Sequence, residues 1–206
     1  MINNSLTEEL EKVILKKICQ TRSYPKSIDE IIGNLENKLS EFNPIQNAFD
    51  LEPYFGEGKR VETAKKLLLE KDKIKNEWLK PYWTKKGKKK IDFKGLYIFI
   101  YDSTPFYVGI SKGVIGRICQ HLKGKSHYTS TLAFKIGLIT YEFQNGKQYS
   151  GQRKIFDFKT YVEPAKKFLM KQKVSLLHLE NIEELALFEI FCSMKLGTWL
   201  NDFETH

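Results

Sequence analysis

The stretch KGLYIFIYDSTPFYVGIS, residues 94–111, decides the fold class. Two runs, LYIFIY and FYVGI, flank the segment DSTP at 102–105. Both runs are rich in β-branched and aromatic residues, which suit a pleated, half-buried surface. Asp102, Ser103 and Pro105 are turn formers. The pattern predicts an antiparallel hairpin. Each run also sets a tyrosine near a glycine: Gly95 and Tyr97 in the first, Tyr107 and Gly109 in the second. Side chains alternate faces along a strand. If all four of 102–105 formed the loop, Tyr97 and Tyr107 would face opposite ways. A shared face requires an odd-length loop, such as Ser103–Pro105, or a bulge, and one of these is expected. The two glycines suit either a close approach of a partner's backbone or a helix to the sheet, or a local bulge.

Working outward, KGVIGRICQHLKG (112–124) places Val114, Ile115, Ile118 and Leu122 on one helical stripe, with Gly124 as a stop. SLLHLEN (175–181) reads as a third strand, and IEELALFEIFCSMKLG (182–197) as a helix ending at Gly197. Between them, STLAFKIGLI and the segment after Pro164 read as helices. Asn145–Gly146 reads as a turn between strand-like runs.

Upstream, Ser5 with Glu8 forms a capping box before Leu6, Leu10, Val13, Ile14 and Ile18. Ser27 with Glu30 repeats the signal before Ile28, Ile31, Ile32, Leu35, Leu39 and Phe42, and Asn43–Pro44 ends that helix. DLEPYFGEG (50–58) reads as a loop, and a third helix is expected from about Val61 to Trp78. The fold class is therefore α+β: a small three-stranded antiparallel sheet flanked by helices, with an N-terminal helical region at 1–83. TKKGKKK (84–90) marks a basic linker at 84–93, and the sheet domain spans 94–206. Trp78, Tyr82 and Trp83 interleave with these lysines; a nucleic-acid surface and packing on the sheet domain both fit them.

Composition narrows the partner. The 206 residues carry 34 Lys and Arg against 25 Asp and Glu, a formal net charge of +9. An anionic partner is favoured, nucleic acid before a membrane surface, with a merely soluble basic protein as the alternative. Cys19, Cys119 and Cys192 are isolated, so zinc-knuckle spacing is absent and a reducing compartment is expected. The N-terminus is polar and acidic, unlike a signal peptide. No apolar run approaches the ~18 residues of a bilayer span, so a cytoplasmic location is expected. His127, His178 and His206 lack partners at metal-ligand spacing.

Four polar residues remain on this scaffold. Arg117 and His121 are four apart and share a helix face. Glu189 sits among Phe188, Ile190 and Phe191, where a carboxylate is costly without a partner or a metal. Asn201 follows the helix stop.

With the tyrosines, this ordered set resembles the GIY-YIG endonuclease superfamily. Gly95-Leu96-Tyr97 matches its first element, with Leu for Ile, and Tyr107-Val108-Gly109 its second. Arg117, Glu189 and Asn201 match its Arg, Glu and Asn. His121 after the Arg, and the extra N-terminal region, resemble the restriction-endonuclease branch. The stretch from Arg117 to Glu189 is longer than in minimal members, so about 125–170 reads as an insertion. The resemblance implies metal-dependent hydrolysis of DNA phosphodiesters, with double-stranded DNA as partner and a homodimer expected on it. Tyr97 would be the preferred general base, directly or with help from His121, and Tyr107 would position the water or a phosphate oxygen. Arg117 would stabilise developing phosphoryl charge, Glu189 would bind Mg²⁺ or another divalent cation, and Asn201 would contact phosphate or brace the site. A base role for a phenol requires a lowered pKa. A structure-specific repair or mobile-element nuclease, and a non-catalytic DNA-binding module, are the alternatives.

Overall fold

The computed structural model of the protein describes residues 27–84 and 87–201. The chain divides into two units, Met1–Glu36 and Asn37–His206. Described structure in the first unit begins at Ser27, whose hydroxyl oxygen accepts the Glu30 N–H at 3.2 Å and opens helix α1 (Ile28–Phe42). The other capping box, Ser5 with Glu8, lies outside the described residues.

The second unit is built on a four-stranded antiparallel sheet rather than a three-stranded one. Its strands are β1 (Phe49–Asp50), β4 (Gly95–Tyr101), β5 (Thr104–Ser111) and β6 (Lys173–His178), in the order β1-β6-β4-β5. The extra strand is only two residues long, too short to carry a periodic signal. It arises because Phe49 and Asp50 align with Val174 and Lys173. The expected loop at 50–58 also contains a short helix, α2 (Glu52–Phe55), whose Tyr54 and Phe55 are buried. The expected third helix is shorter, α3 (Val61–Glu70), and a separate 3₁₀ turn covers Asn76–Trp78.

The basic segment is a β-ribbon, not a linker. Strands β2 (Lys80–Trp83) and β3 (Lys89–Asp92) pair antiparallel and form their own two-stranded sheet. Lys85 and Lys86, between those strands, lie outside the described residues.

Between Asp102 and Ser103 the β4–β5 hairpin closes on two residues, not four. Both have positive φ, +41° and +64°, which a primed two-residue hairpin turn requires. Thr104 therefore pairs with Tyr101, and Pro105 with Ile100. The register then shifts: Phe99 pairs with Tyr107, leaving Phe106 as the extra residue of a bulge. The expected bulge is present, and it puts Tyr97, Phe99 and Tyr107 on one face. Central strand β4 is buried from Gly95 to Ile100.

Helices α4 (Val114–Lys123), α5 (Thr131–Asn145), α6 (Glu163–Met170) and α7 (Ile182–Leu196) complete the unit. The expected turn at Asn145–Gly146 is instead the end of α5. Gly146 adopts φ +63° as its left-handed cap, a second use of the Asn-Gly pair. The run preceding it stays helical because Leu132, Ala133 and Phe134 are buried, while Tyr141 packs edge-on against Tyr149, Phe156 and Tyr161. Gly197 ends α7 in the same way, at φ +62°.

Edge strand β5 is held along its outer side. Leu200 donates its N–H to the Phe106 carbonyl at 3.2 Å. The Asn201 amide accepts from the Val108 N–H and donates to the Val108 carbonyl, both at 2.8 Å.

One buried carboxylate joins the ribbon to α4. Asp92, 3% exposed, accepts the N–H groups of Phe93, Ile115 and Gly116 at 2.8, 3.1 and 2.8 Å. Two of these donors belong to the first turn of α4, which has no intrahelical acceptors for them. Burial pushes the Asp92 pKa up, and these N–H groups pull against it. We predict that Asp92→Ala lowers unfolding free energy by about 3 kcal/mol, because several buried donors lose their acceptor at once. Urea denaturation measures this, and a loss below about 1 kcal/mol would show that water replaces the carboxylate.

Candidate active site

Three elements converge beside β5. From the sheet come Tyr97 and Tyr107, whose ring centroids lie 6.2 Å apart. Helix α4 contributes Arg117 and His121, and α7 contributes Glu189. Tyr107, Glu189, Asn201, Thr131, Leu132, Lys135 and Leu200 line a pocket of about 230 Å³. All six residues singled out in the sequence lie in or directly behind this region.

Tyr97 does not line the pocket. It is 1% exposed, and its ring lies across the partner strand at Gly109. A Cβ at Gly109 would fall 2.4 Å from both Cζ and Oη of Tyr97. The glycine thus makes room for the phenol itself, rather than for DNA. Gly95 allows a different approach: a Cβ there would fall 2.0 Å from the Leu177 carbonyl oxygen of the adjacent strand.

His121 is fully buried behind Tyr97, and its Nε2 lies 2.9 Å from the Tyr97 hydroxyl. Its Nδ1 accepts the Leu132 N–H at 3.3 Å. A backbone N–H can only donate, so the neutral ring carries its proton on Nε2 and donates to Tyr97. In this tautomer His121 orients the Tyr97 hydroxyl and takes no proton from it. Burial, reinforced by the Arg117 charge, drives the His121 pKa from 6.5 down to about 3.

Both phenols are held protonated. Burial raises Tyr97 well above its ordinary value and Tyr107 adds to the rise, while Arg117 pulls it down. Burial raises Tyr107 too; Arg117 opposes this and Glu189 adds to it. The Tyr97 hydroxyl is held by His121, and its ring lies 6.2 Å, centroid to centroid, from that of Tyr107. The chain from the Leu132 amide through His121 thus ends at Tyr97, directly behind Tyr107, the one phenol that lines the pocket.

Arg117 donates to Thr131 Oγ1 at 2.8 Å and to Gln120 Oε1 at 3.2 Å. Glu189 is half-buried, and burial raises its pKa against a hydrogen bond from the Ile110 backbone. Among the described residues no lysine or arginine forms an ion pair with it. Nor do those residues hold any cluster of three or more His, Cys, Asp and Glu side chains suited to a metal. Asn201 is committed to bracing: besides its two bonds to Val108, its Oδ1 accepts from Thr198 Oγ1 at 3.0 Å.

Several positioning groups carried no signal recognised in the sequence. Ser130, Thr131 and Leu132 tie the start of α5 to α4. Ser130 Oγ donates to the carbonyls of Gln120 and Gly124, Thr131 holds Arg117, and Leu132 fixes His121. A Ser-Thr pair opening an apolar run was the available clue. No family model, curated protein or solved structure matches the chain.

The pH dependence of stability follows from His121. Its folded pKa, about 3, lies below the ordinary 6.5, so below pH 6.5 the unfolded chain binds a proton that the folded chain refuses. Stability should therefore fall as pH drops from 6.5 towards 3. We predict that His121→Phe flattens this slope by up to one proton, read from urea midpoints across that range. An unchanged slope in the variant would show that His121 protonates freely in the fold.

Proposed function

We propose that the chain is a divalent-metal-dependent DNA endonuclease of the GIY-YIG type, hydrolysing phosphodiester bonds in duplex DNA as a restriction-type enzyme. The carrying observation is the convergence of residues distant in sequence. Tyr107, Glu189 and Asn201 share one pocket, with Tyr97, Arg117 and His121 layered behind or beside it.

The donor set suits a hard cation. Glu189, half-buried, offers carboxylate oxygens to a pocket that Lys135 also lines, forms no ion pair with a lysine or arginine among the described residues, and has its charge disfavoured by burial. A single carboxylate is typical of Mg²⁺, which keeps several waters and takes substrate phosphate oxygens. Such an ion supplies Lewis-acid stabilisation of the leaving oxygen when bound.

The remaining work falls to the chain. Tyr107, which lines the pocket, contacts and orients the attacking water, whose proton passes to a phosphoryl oxygen of the substrate; the general-base role expected of Tyr97 does not fit a phenol that is 1% exposed and held protonated. Tyr97 stands behind Tyr107, fixed by His121, and backs its ring. Arg117 has two effects here. It lowers both phenol pKa values, and its planar guanidinium, anchored by Thr131, faces charge growing on the phosphoryl oxygens. Asn201 fixes the β5 backbone next to Tyr107. One pocket holds one scissile phosphate, so a pair of copies on one duplex would let both strands be cut in a single encounter.

Incubation of supercoiled plasmid and unmethylated genomic DNA with the chain and Mg²⁺ tests the reading. Discrete fragments are expected, with end sequencing giving the site. Glu189→Gln should abolish cleavage, and Arg117→Ala should slow it by about 10²–10³-fold. Tyr107→Phe should cost more than Tyr97→Phe, since only Tyr107 lines the pocket. Nicking confined to branched DNA would favour the repair-type alternative, and inertness of the unmodified chain on every substrate would reject catalysis.

A further inference from the structure

The β2–β3 ribbon has two unlike faces. Cross-strand pairs put Lys80, Tyr82, Lys90 and Asp92 on one face, and Pro81, Trp83, Lys89 and Ile91 on the other. The first face docks on α4: Asp92 binds its first turn, and the Tyr82 hydroxyl occupies the space a Cβ would take at Gly113, 2.3 Å away. The second face is left open. Trp83 is 69% exposed, Ile91 is 52% exposed, and Pro81 and Lys89 are exposed beside them. The neighbouring Trp78 instead stacks on His178 at 5.5 Å. Packing therefore accounts for Trp78 and Tyr82 but not for Trp83.

The charge on this ribbon is of one sign. Lys88, Lys89 and Lys90 are exposed, and none forms an ion pair among the described residues, whereas Lys80 is bound to Glu180 at 2.7 Å. The ribbon's one carboxylate, Asp92, is buried beneath it. Four residues per strand span about 13 Å. The DNA major groove is about 12 Å wide and admits a two-stranded ribbon.

We infer that the β2–β3 ribbon is a duplex-DNA docking element, seated in the major groove with Trp83 and Ile91 against the bases and Lys88–Lys90 on the flanking phosphates. The inference rests on the nuclease reading only for the identity of the ligand. Lysine contacts carry affinity and salt dependence, while the apolar face meets base edges and thymine methyls. Since Asp92 and Tyr82 fasten the ribbon to the start of α4, the docking element and Arg117 sit on one rigid connection.

The test uses the full chain, divalent ions chelated, binding a random-sequence DNA duplex over a range of salt concentrations. The triple variant Lys88→Ala, Lys89→Ala, Lys90→Ala should reduce the slope of log affinity against log salt by about 2 to 3, at about 0.9 per lost phosphate contact. Lys89→Gln alone should remove about one such contact, and thermal melting should show both variants folded. The emission change on adding duplex should be smaller in Trp83→Phe than in the unmodified chain, since exposed Trp199, next to the pocket residues Leu200 and Asn201, also reports on duplex. Unaltered affinity and slope in the lysine variants would overturn the proposal, as would retention of the unmodified chain on anionic phospholipid vesicles but not on duplex. Plasmid cleavage is scored separately. Cleavage with normal binding by the ribbon variants rejects the ribbon and keeps the nuclease; ribbon-dependent binding without cleavage does the reverse.

Discussion

A one-residue register shift makes the site possible. Strand geometry alternates side chains strictly, and the even hairpin loop at Asp102–Ser103 would set Tyr107 opposite Ile98, on the far face from Tyr97. The extra residue, Phe106, restores parity and delivers Tyr107 opposite Phe99. Everything built on adjacent phenols, from the aromatic stack with His121 to the pocket wall, follows from that shift. Its position is held from outside as well, because Leu200 binds the Phe106 carbonyl and Asn201 clasps Val108.

Behind the phenols, polarity is rationed. His121 is kept neutral by burial, both tyrosines are kept protonated by burial, and Glu189 is biased the same way. Arg117 is the charge that works against this on the phenols. A desolvated site of this kind responds strongly to any charge brought into it, since interactions there are weakly screened. The same dryness forces each polar group to have a fixed partner, which explains why α5 meets α4 through three consecutive residues rather than through apolar contact alone.

Legibility in the sequence tracked the range of the interactions. The hairpin, α4 and α7 were readable because period and stop signals are local, down to the glycine caps. The parity problem of Tyr97 and Tyr107 was readable as a problem, and the bulge answers it. The six site residues stood out by chemistry and order, and the fold gathers them. Asp92 was not readable, since its meaning lies in two amides of α4 that reach it only in three dimensions. β1 was missed because two residues hold no period. The run before Gly146 was misread because aromatic and β-branched composition suited a strand, while Tyr141 found its ring partners in the segment beyond the cap. The lysine-rich segment looked like a linker since charge conceals the pairing of short strands.

The clasp on β5 also bears on assembly. An open sheet border normally invites a second chain to add a strand. Here the Phe106 carbonyl and both main-chain groups of Val108 are already engaged by Leu200 and Asn201. At the opposite border, β1 offers only two residues. Two copies therefore cannot merge their sheets through β5 without first releasing Leu200 and Asn201, so strand addition at this border would disturb residues that line the pocket.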